Sequence, residues 1–574
     1  MNENESSSAP IVPGDGCTAH EDTFIRDRLP PKELWPKIDF SALAELAAYP
    51  DRMNAAGVLL DQAIETNRWH DRTCLQYDET RWSYDDLRRM VDRICHVLID
   101  HMGVVSGNRV LLRGPNNPMM AACWFAVLKV GAIAVATMPL LRSRELQFII
   151  EKAQIQHALC DVALADELRT AQSRTTLLET IHYFSATGVS EDSRITLDIL
   201  AAQAEGRFEA VDTASDDVAL VAFTSGTTGV PKATVHFHRD ILAMCDAFPR
   251  HVCPTDPDDI FVGSPPLAFT FGLGAQLCFP MRSGSSVVYY PGPPSAEVLA
   301  KIVADKRCTT LYTAPIIFRQ LAELARIGEY DLSSLRRCVS AGENLPSPTF
   351  EAFRDAVGVK IIDGLGSTEM IHIFIAASDD DIRPGATGMA IPGYEAAIMD
   401  DEGRILDPPV EGLLAVRGPT GCRYLDDENR QRAYVRDGWN LPGDRYRQDA
   451  DGYFWYVARA DDMIISAGYN IGGPEVEAAL LDHQKVAECA VIGAPDAERG
   501  TIVKAFVVLR DPNDGGEETV KELQAFVREE IAPYKYPRAI EFVDALPRTE
   551  TGKVQRFKLR EMEQDRTNTN GANF

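Results

Sequence analysis

Phe223-Thr-Ser-Gly-Thr-Thr-Gly-Val-Pro-Lys232 follows directly on the apolar run Ala219-Leu-Val-Ala222, so a β-rich segment leads into hydroxyl and glycine residues and then a lysine. This is the chemistry of a phosphate loop. Glycines at 226 and 229 let backbone amides come close to an anion. Ser225, Thr227 and Thr228 can donate hydrogen bonds, and Lys232 adds a point charge. Taken alone, G-T-T-G reads equally well as a polar surface turn. The spacing also departs from G-x-x-x-x-G-K-[ST], so this is not the Walker loop.

Moving outward, short β-rich runs recur at 110 (VLLRGP), 285 (SSVVYYP), 309 (TTLYTAP) and 337 (RCVSAGE), with helix-like stretches between many of them. An α/β architecture with largely buried sheets follows. From Ser83, with Asp86 as a capping-box partner, Leu87, Met90, Val91, Ile94, Val97 and Leu98 recur at helical spacing. Met119 to Leu141 is apolar enough to suggest a membrane span. Lys129 at its centre, with Gly131 and Pro139, makes it a buried helix followed by a buried strand. Near the C-terminus, VAECAVIGAPD, IVKAFVVLR and AIEFVDALP read as strands around the helix ETVKELQAFVREEI, a compact α+β unit. A boundary at Arg459 to Asp462 divides the chain into 1–460 and 461–574.

At 574 residues the chain exceeds what one hydrophobic core supports. Its 58 Lys+Arg against 85 Asp+Glu leave a net charge of -27, which argues against nucleic acid and anionic membrane as partners. The 12 cysteines show no C-x-x-C pair and no zinc spacing, consistent with reduced thiols in the cytoplasm. MNENESSSAP at the start lacks the pattern of a secretory signal and reads as a fraying end. The run after Met562 is polar and reads as a loose tail.

Further motifs follow in order: Ser340-Ala-Gly-Glu-Asn-Leu-Pro346, Gly364-Leu-Gly-Ser-Thr-Glu369, Gly443-Asp444, Arg459-Ala-Asp-Asp462 and Pro547-Arg-Thr-Glu-Thr-Gly-Lys553. With the loop at 223–232 they resemble the signatures of the adenylate-forming acyl-CoA synthetases, across most of the chain. The resemblance implies a large N-terminal domain of layered β-sheets and packed helices, with a small mobile α+β domain behind it. It also implies a two-step reaction. A carboxylate attacks the α-phosphate of ATP and releases pyrophosphate, and the thiol of CoA then displaces AMP from the acyl adenylate.

The same resemblance assigns roles. Glu369 matches a ligand for Mg2+, which offsets repulsion between carboxylate and phosphates, and Thr368 matches a phosphate hydrogen-bonder. Thr224, Ser225, Gly226, Thr227, Thr228, Gly229 and Lys232 match the phosphate loop. Gly342, Glu343 and Asn344, with Asp363, Gly364 and Leu365, match the adenine-lining stretches. Asp444 matches the acceptor for both ribose hydroxyls, with Tyr456 and Arg459 alongside. Pro442 replaces a threonine common in the family, at the cost of a hydroxyl and an N–H. Lys553 matches the lysine that stabilises charge as carboxylate meets α-phosphate. Asp461 matches the hinge, and Gly468 and Tyr469 match the loop beside the pantetheine tunnel.

Pro266-Leu-Ala-Phe-Thr-Phe-Gly-Leu-Gly274 resembles the segment lining the acyl pocket. It supplies Phe269, Phe271, Gly272 and Leu273, Gly366 is assigned to the same pocket, and a flat apolar slot suits an aromatic ring. His236 and His238 match positions often occupied by histidine in the family; His236 stands either near the substrate carboxylate or in structural packing, and structural packing is the reading for His238. F-G-L-G with the downstream F-P-M-R-S-G, and DTFIRDRLPPKELWP near the start, resemble the benzoate and 2-aminobenzoate CoA ligases. A small aromatic acid is therefore expected. Medium-chain fatty acids, a carrier-protein thiol as acceptor, a non-catalytic nucleotide binder and a homodimer stay open.

Overall fold

The computed structural model describes residues 18–189, 192–224, 231–460, 462–466, 469–496, 500–531, 535–549 and 552–571. The fraying expected of the first ten residues falls outside them. A hairpin of β1 (Thr73–Tyr77) and β2 (Thr80–Ser83) runs into helix α1 (Tyr84–His96). Ser83 caps that helix reciprocally: its Oγ accepts from the Asp86 amide, and the Asp86 carboxylate accepts from the Ser83 amide. Leu87, Val91 and Ile94 are buried along one face, as their spacing predicts.

Next come β3 (Arg109–Arg113), helix α2 (Pro118–Lys129), β4 (Ile133–Thr137), β5 (His157–Asp161), β6 (Thr180–Phe184), β7 (Val218–Thr224) and β8 (Lys232–Phe237). They build a six-stranded sheet in the order β6-β5-β3-β4-β7-β8, parallel except for β8. Every residue of β3, β4 and β5 is buried, the continuous burial typical of parallel strands covered on both faces. Helix α2 is buried along its whole length. Its Lys129 is accommodated by Asp92 at 2.6 Å and Asp61 at 2.8 Å, so a paired charge replaces the membrane reading.

After α3 (His238–His251), the strands β9 (Ile260–Gly263), β10 (Ser286–Tyr289) and β11 (Thr310–Thr313), helix α4 (Pro315–Ile327), and the strands β12 (Arg337–Ala341), β13 (Ile361–Gly366), β14 (Ile373–Ala376) and β15 (Met389–Ala390) follow. A nine-stranded sheet runs β15-β14-β13-β12-β11-β9-β10-β1-β2. The third sheet contains β16 (Glu395–Met399), β17 (Val410–Arg417), β18 (Asp444–Gln448) and β19 (Phe454–Arg459) in antiparallel pairs, with helix α5 (Glu428–Tyr434) beside it in sequence.

The C-terminal unit holds α6 (Gly473–Leu481), β20 (Val486–Asp496), β21 (Gly500–Leu509), α7 (Glu517–Glu530), β22 (Ala539–Phe542) and α8 (Arg556–Gly571). Its strands and long helix fall where the sequence puts them. The loose tail does not: the backbone is helical through Gly571. Leu559 is buried, Arg556 grips Glu477 with two nitrogens, and Arg560 pairs with Asp462, so the first turns are anchored although the run is polar. Among the described residues eleven cysteines are free, ten of them buried and Cys489 half-buried. No helix among those residues is long and apolar enough to cross a membrane.

Candidate active site

The antiparallel pair β7–β8 sets Thr224 directly opposite Lys232. The loop that joins them leaves the end of β7 and returns into β8. Ser225, Gly226, Thr227, Thr228 and Gly229, named from sequence as its phosphate-binding part, lie outside the described residues.

Strand β13 ends at Gly366, and Ser367 then caps a single tight turn, Thr368–Met370, by accepting the Met370 amide at 3.2 Å. The next residue, Ile371, is fully buried at φ +67°, a strained conformation for a β-branched side chain. Within this turn His236 Nε2 donates to the Thr368 carbonyl at 2.7 Å. Burial holds that imidazole below its usual pKa, with Asp240 offsetting part of the effect. His236 therefore fastens the turn from β8. His238, also fully buried, accepts the Ala55 amide at 3.0 Å and is structural. Glu369 is 9% exposed, and its Oε1 accepts the Tyr424 hydroxyl at 2.8 Å.

Around the expected nucleotide site, Asp444 opens β18 and faces Arg459 at the end of β19 in the pairing register. The two side chains approach at 3.3 Å, and Arg459 also donates to the Pro442 carbonyl at 2.8 Å, which the proline leaves intact. The Tyr456 ring lies edge-on to Tyr446 at 5.4 Å. Gly364, Leu365 and Gly366 pair with β14. Asp363 keeps part of its surface open, yet close-packed protein atoms push its carboxyl up to about 8, with the Thr387 hydroxyl as a partial offset.

Gly342 follows β12 at φ +93°, a conformation that favours glycine. A Cβ there would lie 3.5 Å from Lys553 Cε, and the neighbouring Val554 amide donates to Glu343 Oε1 at 3.0 Å. The lysine loop of the C-terminal unit is thus docked on the Gly342–Glu343 turn, with Asn344 half-buried beside it. Asp461 and Gly468 lie outside the described residues. Tyr469 is described only as backbone, in the strand Tyr469–Ile471.

At the acyl end, Phe269 precedes a short helix, Thr270–Leu273. A Cβ on Gly272 would meet the Pro266 carbonyl at 2.0 Å, so this elbow requires glycine. Leu273 is buried, and Phe271 is half-buried with its ring 5.8 Å from Tyr312 and 5.7 Å from His372. His372 is also flanked by Phe279 at 4.6 Å and Phe248 at 5.7 Å. Burial pushes this imidazole down to about 3, the Phe271 carbonyl offsetting only part of that. His372, Phe248 and Phe279 pack with Phe271 as an aromatic cluster, of which only Phe271 and Phe279 fall in segments singled out from the sequence. The one signal within reach was the position of His372, three residues beyond Glu369.

No group of three or more potential metal-ligating side chains occurs among the described residues. A single buried carboxylate suits a magnesium ion that arrives on phosphates, because Mg2+ is commonly held by one or two carboxylates plus substrate oxygens.

The AMP-binding enzyme family matches residues 61–423, and the C-terminal domain of AMP-binding enzymes matches residues 475–553. The chain therefore belongs to the AMP-binding enzyme family and is an acid–thiol ligase. Benzoate–CoA ligase of Thauera aromatica is 32% identical over 513 residues, covering 89% of this chain and 96% of that protein. A mitochondrial acyl-coenzyme A synthetase of Homo sapiens is also 32% identical, covering 90% of each. A crystal structure of the anthranilate CoA ligase AuaEII in complex with anthranoyl-AMP matches with a TM-score of 0.85 at 31% identity, over 90% of this chain and 98% of that one.

Proposed function

We propose that the protein joins a small aromatic carboxylate to CoA by way of an acyl adenylate, with 2-aminobenzoate ahead of benzoate. The observation that carries the aromatic reading is the cluster of Phe248, Phe271, Phe279 and His372 packed beside the Gly272 elbow, with Phe271 as its half-buried face. Flat aromatic walls recognise a flat ring by stacking and exclude water around it. The relatives named for benzoate and anthranilate support the same class.

In the first step a substrate carboxylate oxygen bonds to the α-phosphorus of ATP, and the bond to the leaving pyrophosphate oxygen breaks. Lys553, docked beside Gly342, is placed to balance the charge that gathers there. Thr224 and Lys232 frame the phosphate loop, while Asp444 and Arg459 are assigned to the ribose. Glu369 is the residue that would hold Mg2+, which when bound offsets phosphate charge, and Thr368 is assigned to hydrogen-bond a phosphate. In the second step the CoA sulfur attacks the acyl carbon and AMP leaves. A hinge at 459–462 separates 1–460 from 461–574 and lets one small domain serve both steps. It falls between the two family matches. Asp461, Gly468 and Tyr469 are assigned to the second arrangement.

The test is acid-dependent pyrophosphate release over benzoate, 2-aminobenzoate, 3-hydroxybenzoate, hexanoate, dodecanoate and acetate, with thioester formation scored on CoA and on a pantetheinylated carrier protein. Benzoate-sized acids should give the highest kcat/KM. Phe271→Ala should lower theirs about 10- to 100-fold while admitting bulkier rings. Dodecanoate or acetate outrunning every aromatic acid would overturn the aromatic reading. A different acyl group is the second reading, because a human protein named only as an acyl-coenzyme A synthetase is as similar in sequence as the benzoate ligase.

A further inference from the structure

Tyr424 belongs to none of the motifs, yet its hydroxyl donates a hydrogen bond to the Glu369 carboxylate. The segment around it lies as an extra strand along β8. Thr234 and Tyr424 form an antiparallel bridge, the Val235 amide donates to the Arg423 carbonyl at 2.9 Å, and the Leu425 amide donates to Ala233 at 2.9 Å. Gln431, on α5, accepts the Tyr424 amide at 2.9 Å and donates to the carbonyls of Cys422 and Leu34, each at 3.0 Å. The ring meets Tyr434 edge-on at 5.7 Å and is 1% exposed. Backbone and ring are therefore held without help from the hydroxyl, which is free to act on Glu369.

A glutamate reaches its target through three rotors, and a buried carboxylate that swings among rotamers must be ordered anew each time a cation binds. A hydrogen bond from a fixed phenol removes that cost and selects the orientation. His236, which also stems from β8, holds the Thr368 carbonyl next door. The strand that begins at Lys232 thus fixes both residues of the Thr368–Glu369 pair through side chains far away in sequence.

We propose that Tyr424 is a positioning residue for the adenylation step: its phenol, anchored along β8, orients the Glu369 carboxylate toward the divalent cation that the nucleotide carries. This rests on Glu369 being the residue that holds that cation, so the test separates the two assignments. In the full-length protein, Tyr424→Phe removes only the hydroxyl, and Glu369→Gln removes the charge while retaining an oxygen that accepts from Tyr424. The Mg2+ dependence of ATP binding is measured by calorimetry without acid. Mg2+ dependence of pyrophosphate release, thioester formation from supplied benzoyl-AMP, and the thermal midpoint are measured on the same preparations.

Tyr424→Phe should raise the half-saturating Mg2+ concentration about 10- to 100-fold in both binding and turnover. Activity should recover at high Mg2+, and thioester formation from the supplied adenylate should be unchanged. In a Glu369→Gln background the added Tyr424→Phe change should have no further effect on the Mg2+ requirement. A raised requirement in Glu369→Gln with none in Tyr424→Phe overturns the role of Tyr424 alone. An unaltered requirement in Glu369→Gln overturns the metal assignment and the proposal with it. Equal losses in both half-reactions that Mg2+ does not rescue mark Tyr424 as structural and also overturn it. Should Tyr424→Phe fail to fold, the proposal is judged on Gln431→Glu, which disturbs the Tyr424 anchor: a Mg2+ requirement unchanged there overturns it.

Discussion

Asp363 carries a carboxyl that close packing pushes up to about 8, so folding favours its protonated form. Its folded pKa lies above the unfolded value, and its contribution to stability therefore falls as pH rises from about 4 to about 8 and stays flat above. Asp363→Asn should remove that trend: compared with the parent, the variant should gain urea resistance at pH 8.5 and gain little at pH 4.5. Matched unfolding curves at the two pH values decide it. Lys553→Ala should cost adenylation about 100-fold or more while sparing thioester formation from supplied acyl adenylate, as half-reaction assays would show. The lysine and the glycine turn it meets are both legible in the sequence, because each sits in a motif that resembles a signature of the family. Tyr424 and His372 are not. The first reaches Glu369 through a strand pairing 190 residues apart in sequence from Thr234 to Tyr424, and the second is one of many histidines until the Gly272 elbow brings Phe271 against it.

At the scale of elements, α4 meets the C-terminal unit through a relay of charges. Arg319 donates to the Ala487 carbonyl and lies 3.8 Å from Glu488, which pairs with Arg548 at 2.7 Å. Arg548 in turn donates to the Gly552 carbonyl, next to Lys553, and Arg510 reaches Glu323 of α4 at 3.1 Å. These contacts belong to the arrangement in which the lysine loop sits on Gly342. Arg319→Ala should slow adenylation about 3- to 10-fold, the equivalent of roughly 1 kcal/mol of lost interface, and leave the supplied-adenylate reaction as fast or faster. Asp461→Pro should do the reverse by obstructing rotation, and single-turnover assays of the two half-reactions check both. Periodicity and capping were enough to place α1 and the buried strands. They missed the end of α8, whose polar run carries no apolar stripe: ion pairs to Glu477 and Asp462, made by other parts of the chain, hold its first turns.

Across the whole molecule, burial lowers the imidazoles of His20, His157, His182, His236, His238 and His372, with His238 and His372 brought to about 3. His238 and His372 stay neutral in the fold down to about 3 and the others shift in the same direction, so the stability these groups contribute is full above about pH 6.5 and is lost as pH falls from there. Over two pH units a fully buried histidine can account for up to roughly 2 to 3 kcal/mol. Urea midpoints should therefore fall between pH 6.5 and 4.5, and His238→Gln, whose amide oxygen can still accept from Ala55, should flatten the decline. The arrangement of the cysteines bears on a different hazard. Acyl adenylates and thioesters are acylating agents toward any thiolate they meet, including the maker's own. Burial of Cys74, Cys123, Cys308 and Cys422 keeps these sulfurs away from solvent and raises them above their usual pKa, so they stay as unreactive thiols. A catalyst that works by handing activated acyl groups to sulfur is thereby spared self-acylation at these sites.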